Sequence, residues 1–94
     1  MDTNKVDSHD FAKDVKIYNY ETTDLYLASY LLSLGFNFSY KKIQNNKTVF
    51  NFESIKDLNL YVNEYLVGKA KSDPLALVNA IKNLKNLLFN ISKG

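Results

Sequence analysis

Few side chains in this chain are of types that do chemistry, and their spacing assembles no catalytic set. His9 is the only histidine, and it sits among Asp7, Asp10 and Asp14. Imidazole and carboxylates together can hold a divalent cation, but here the metal would have to order the segment that carries them. There is no cysteine, which removes thiolate nucleophiles, thiolate metal sites and disulfides at once. Without cysteine or a histidine in the folded part, nucleophile–base pairs of the Ser–His kind cannot be built there. The carboxylates beyond residue 14 are Glu21, Asp24, Glu53, Asp57, Glu64 and Asp73. Asp24, Asp57 and Asp73 stand where helices should begin. That leaves Glu21 and Glu53 as a pair that would signify only if a cleft gathered them and perturbed their ionisation. The three glycines form no phosphate-cradling loop. The expectation is a non-enzymatic protein with no catalytic, metal or cofactor residues.

Charge narrows the classes further. All 12 basic residues are lysine, and they accompany 12 asparagines, a pairing that fits an AT-rich genome. With no arginine, no bidentate guanidinium fork is available for phosphate or guanine. A net charge of +2 does not by itself imply nucleic acid. It is unevenly placed: residues 1–14 hold a net −2, which leaves +4 on the rest. Those first residues are polar, lack periodicity and read as a mobile tail, with residues 15–92 as a single domain. An acidic start with no apolar run behind it is not a signal peptide, so a cytoplasmic protein is expected.

The elements that must position any site are organised around Leu25 to Leu34, interrupted only by Ser29 and Ser33. It contains no β-branched residue, and Leu and Ala favour helix. Leu25, Ala28 and Leu32 share one side, and Leu27, Leu31 and Leu34 share the next, which leaves Ser29, Ser33 and Tyr26 as a polar strip. A helix this apolar must be covered on more than one side, and it is too short for a bilayer. Thr22 or Thr23 is the expected N-cap, with Asp24 in the first turn and Gly35 as the left-handed stop. Residues 16–20 read as a short strand. Residues 36–43 and 48–53 alternate as a hairpin, with Phe36, Phe38, Tyr40, Phe50 and Phe52 on the buried face. A two-residue turn would put the two aromatic sets on opposite faces, so a three-residue loop with a left-handed asparagine is expected. A second helix is expected over 54–67. Its start is a Ser54/Asp57 capping box, its buried stripe Ile55, Leu58, Val62, Tyr65 and Leu66, and its end Gly68. Asp73-Pro74 opens a third helix over 74–92, with Leu77, Ile81, Leu84, Leu88 and Ile91 as its apolar stripe. The fold is therefore α+β: a three-stranded antiparallel sheet with three helices on one face, in the order β-α-β-β-α-α.

Three surface features stand outside these stripes. Asn79, Asn83, Asn86 and Asn90 share one side of the third helix, either to hydrogen-bond a partner or simply as a solvated face. Leu75, Val78 and Phe89 miss that helix's main stripe, as Leu60 and Val67 miss the second helix's. With Lys82 and Lys85 close by, these residues fit a protein-binding or homodimer patch unless the helices bury them against one another. Lys41, Lys42 and Lys47 on the hairpin, joined by Lys69 and Lys71, form the alternative, a weak lysine-based nucleic-acid surface. The hairpin alternation counts against it, since Asn37, Ser39 and Asn51 occupy the exposed face where stacking aromatics would be needed.

The pattern Tyr20, Thr22, Asp24-Leu25, Leu27-Ala28, Leu31, Gly35-Phe36, then Phe50 and Phe52, then Pro74, Ile81 and Leu84-Lys85 resembles a family of small uncharacterised domains of bacteria and their phages, a domain of unknown function. The likeness runs from about Tyr18 to Ile91, and its motifs are structural. The resemblance implies no activity, cofactor or site residue. It implies a phage or mobile-element origin and, by analogy, a protein partner that includes components of host defence. No membrane association is expected.

Overall fold

The computed structural model describes residues 15–43, 45 and 47–93. The tail expected over 1–14, with His9 and its neighbouring aspartates, lies outside the described residues. Among the described residues six elements follow in the expected order: β1 (Tyr18–Thr22), α1 (Leu25–Ser33), β2 (Asn37–Lys42), β3 (Thr48–Ser54), α2 (Leu58–Leu66) and α3 (Pro74–Lys93). The strands form one antiparallel sheet in the spatial order β1-β3-β2.

The hairpin takes the register that aromatic pairing requires. Phe38 lies opposite Phe52 and Tyr40 opposite Phe50. The Ile43 N–H donates to the Lys47 carbonyl at 2.7 Å, which leaves three residues in the loop. Asn45 among them has φ +66°, a left-handed conformation that asparagine tolerates because its side chain can bond locally. Phe50 and Phe52 are buried in the central strand, and the Phe38 ring centroid lies 5.9 and 5.8 Å from theirs. Burying each phenylalanine contributes about 1.5–3 kcal/mol.

The core forms where this aromatic face meets the helices. Leu27 and Leu31 of α1, Leu58 and Val62 of α2 and Leu84 of α3 join Phe50 and Phe52 in one buried cluster. The opposite face of the sheet carries Asn19, Glu21, Asn37, Ser39, Asn51 and Glu53. In α1 the five residues Leu27, Ala28, Ser29, Tyr30 and Leu31 are all buried, more than a full turn, as a helix covered on several sides must be. Ser29 therefore does not sit in a polar strip. Its hydroxyl donates to the Leu25 carbonyl at 2.8 Å, which satisfies the side chain within its own helix and lets a polar residue enter the core.

Several boundaries differ from the expectation, each for a local reason. β1 starts two residues later than expected because its ladder pairs Tyr18 with Ser54 and Thr22 with Phe50. The cap of α1 is Asp24, not Thr22 or Thr23: the Tyr26 and Leu27 N–H groups donate to its Oδ1 at 2.9 and 3.2 Å. Thr22 instead accepts from the Asp24 N–H. Ser54 is the last residue of β3, so no capping box forms. Asp57 caps α2, accepting from the Asn59 N–H at 3.0 Å. With the start moved, Ile55 falls in the connection, and it and Leu66 are each 68% exposed rather than part of the stripe. Tyr40, expected on the buried face, is half exposed on the edge strand.

Two glycines close helices in the same way. After α1, the Phe36 N–H donates to the Leu31 carbonyl and the Gly35 N–H to that of Leu32; after α2, Lys69 and Gly68 repeat this with Glu64 and Tyr65. Both are Schellman motifs, and both need the left-handed residue that Gly35 (φ +96°) and Gly68 (φ +78°) supply. Asp73 opens α3 as expected, accepting from the Ala76 N–H at 2.9 Å.

Candidate functional site

The third helix presents the most organised exposed surface. On α3, Ala80 and Leu84 are buried and Leu77, Leu87 and Leu88 pack partly against the core. At about 100° per residue the far side of the helix carries Leu75, Val78, Lys82, Lys85 and Phe89, at spacings of three, four, three and four. Leu75 is 67%, Val78 45% and Phe89 62% exposed, and both lysines are exposed. The apolar residues therefore stay at the surface rather than being buried between helices. Tyr26, at the start of α1, joins this face: the Lys85 ammonium lies 5.9 Å from its ring centroid, within the reach of a cation–π contact. The asparagines 79, 83, 86 and 90 form the neighbouring exposed strip.

Leu60 and Val67 are exposed too, at 62% and 65%, on the outward side of α2. α1 packs against both α2 and α3, so the two outward stripes belong to helices that flank it. Of the expected patch, Val78, Lys82, Lys85 and Phe89 lie on α3, Leu60 lies on α2 and Val67 just after it.

The hairpin lysines are divided as well. Strand alternation sends Lys41 to the open face of the sheet, where it lines a hollow with Glu21, Ser39, Tyr40, Val49 and Asn51. Lys42 points to the helix side. With Lys47 it lines a groove of about 470 Å³ whose other residues are Thr23, Thr48, Phe50, Leu88 and Ile91. Lys69 and Lys71 are exposed on the connection between α2 and α3 and line neither hollow. No single surface unites the five lysines of the nucleic-acid alternative, and Phe38, Phe50 and Phe52 are committed to the core side.

Glu21 and Glu53 share the open sheet face without being partners, Glu21 lying opposite Asn51 and Glu53 opposite Asn19. They line different hollows. Among the described residues no group of three or more His, Cys, Asp or Glu side chains is placed to hold a metal ion. Among the described residues the one displaced ionisation is that of Tyr65, whose hydroxyl is pushed above its ordinary value by burial first, then by the Asp24 carboxylate and Tyr26. Its ring lies 5.5 Å from that of Tyr30, so it belongs to the contact between α1 and α2. Among the described residues no helix is long and apolar enough to cross a membrane.

The scaffold that carries these surfaces has a match. Residues 17–90 fit the model of a domain of unknown function (DUF5659). The chain belongs to that family. The match takes in β1 through almost all of α3, so the DUF5659 unit and the fold described above coincide. No curated protein and no solved structure matches the chain.

Two components of these surfaces were not legible in the DUF5659 sequence. Tyr26 reads as part of a polar strip on its own helix, and only the approach of α3 brings Lys85 over its ring. The groove beside Lys42 depends on where α3 runs relative to the sheet, and no local spacing encodes that.

Proposed function

We propose that this protein is a non-enzymatic binding module that engages a protein partner through the outward face of α3. The observation that carries the reading is the exposed run Leu75, Val78 and Phe89, in register with Lys82 and Lys85 on the side away from the core. Apolar anchors at helical spacing, flanked by like charges, suit a partner helix or groove that offers an apolar strip with acidic residues beside it. A second copy of the chain is disfavoured as the occupant, because the lysines would meet their own kind.

The phage or mobile-element origin implied by the resemblance makes a host cytoplasmic protein, including a component of a defence system, the first class of partner to test. Affinity capture from the native host, comparing the wild type with Val78→Asp, provides that test. A protein retained by the wild type and lost with the variant supports the reading. Identical capture by both, or a signal that nuclease removes, overturns it; the latter would favour the lysine-based nucleic-acid alternative. Size-exclusion with light scattering then separates a heterocomplex from a homodimer.

A further inference from the structure

We propose that the outer edge of β2, with the groove beside it, docks an extended acidic segment of a partner protein as a fourth strand of the sheet. This rests on the protein-binding reading for the class of partner only, since it uses a different surface from α3's outward face.

The sheet order β1-β3-β2 leaves β2 on the edge. The direction of its backbone groups follows from the ladder. In an antiparallel pair, alternate opposed residues exchange both hydrogen bonds and those between them exchange none. The Ile43 N–H bonds to Lys47, so Lys41, Ser39 and Asn37 continue the bonded set. Phe38, Tyr40 and Lys42 then aim their N–H and carbonyl groups away from β3. All of β2 except Phe38 is exposed. The edge is therefore a template for β-strand addition.

Charge sets the kind of strand. β2 carries Lys41 and Lys42 and no acid, and Lys47 stands just across the turn. One lysine points to each face, so a strand laid on the Lys41–Lys42 end of this edge meets positive charge on both sides, whereas Glu53 faces Asn37 at the far end. On the helix side the groove combines Lys42, Lys47, Thr23 and Thr48 with an apolar surface of Phe50, Leu88 and Ile91, and none of its described lining residues is acidic. Glu21 lies in the open-face hollow with Lys41, but it comes from β1, at the other side of the sheet. Lysines on an edge strand also guard against indiscriminate pairing. The same positive charge that turns away a second copy attracts a segment bearing Asp or Glu, and alternate apolar side chains of that segment would fall over the groove.

Random octapeptides displayed on phage, selected in parallel on the full chain and on Lys42→Glu/Lys47→Glu, test the proposal. The wild type should enrich peptides with Asp or Glu at alternate positions, and the charge-reversed variant should enrich Lys or Arg there. A Lys42→Gln/Lys47→Gln variant, which only removes charge and keeps length, should lose the preference altogether. A selected peptide should bind the reversed variant about tenfold or more weakly and should slow hydrogen exchange at the amides of Phe38, Tyr40 and Lys42. No acidic enrichment, or the same peptides from every variant, overturns the proposal. So does binding that survives charge reversal but is lost in Val78→Asp, which would place the contact on α3 and leave the module reading intact. A self-association abolished by charge reversal would show a second copy as the occupant and overturn it too.

Discussion

In α1 an unbroken turn of side chains, Leu27 to Leu31, is enclosed by the rest of the molecule. In α3, among the described residues, only Ala80 and Leu84 are fully buried, and the helix runs for 20 residues. Both helices are rich in leucine, yet they use it differently. α1 has neighbours on several sides and spends its apolar residues other than Tyr26 on the fold. α3 packs against α1 through its other side, and among the described residues its second apolar stripe stays exposed. Apolar content alone thus says little about whether a helix defines a core or offers a contact; the number of packed sides decides it.

The sharpest way to break the contrast is truncation at matched positions. Leu31→Ala, at a fully buried site, should cost about 2–5 kcal/mol, enough to lower the thermal midpoint by ten degrees or more in a melt followed by circular dichroism. A loss below about 1 kcal/mol would mean that α1 is not the enclosed element. Capping sharpens the picture next. Asp24→Ala should cost about 1 kcal/mol in urea unfolding, and Thr23→Ala much less. Equal losses would return the cap to the threonines.

A smaller effect is expected at the hairpin loop. Asn45 has φ +66°, so Asn45→Ala should destabilise by about 1 kcal/mol, while Asn45→Gly should be neutral or slightly favourable. On the exposed side of α3, Val78→Ala should change stability by no more than about 0.5 kcal/mol, and a larger cost would show that the stripe is packed after all. The slightest effect concerns Tyr65. Its hydroxyl is raised above the ordinary tyrosine value by burial and by Asp24, so the unfolded chain releases that proton first as pH rises. The contribution is whole below about pH 10 and is lost above it. Tyr65→Phe should flatten that decline in a series of melts from pH 9 upward.

The most readable part of the fold was the hairpin, because strand alternation has a strict period of two. The faces of Phe38 and Phe52 were enough to require an odd loop. Helix starts were harder. Thr22, Thr23 and Asp24 are all capable caps, and local sequence cannot rank them once β1 extends to Thr22 and commits it. Ser54 followed the same logic: its pairing with Tyr18 spans 36 positions of chain and leaves no local trace, so it read as a cap when it ends a strand. On the surface, the spacing of Leu75, Val78 and Phe89 was visible and their exposure was not, since the same spacing would serve a helix packed on two sides. The groove beside Lys42 was out of reach, because its described walls come from residues 23, 42, 47, 48, 50, 88 and 91.

The enclosure of α1 also bears on how the chain is made. Its leucines are synthesised before Phe50, Phe52, Val62 and Leu84, so the segment precedes the residues that cover it. A nascent chain in that condition is a ready substrate for chaperones and for aggregation. Yield in cells should then depend on how quickly the last third of the protein follows the first.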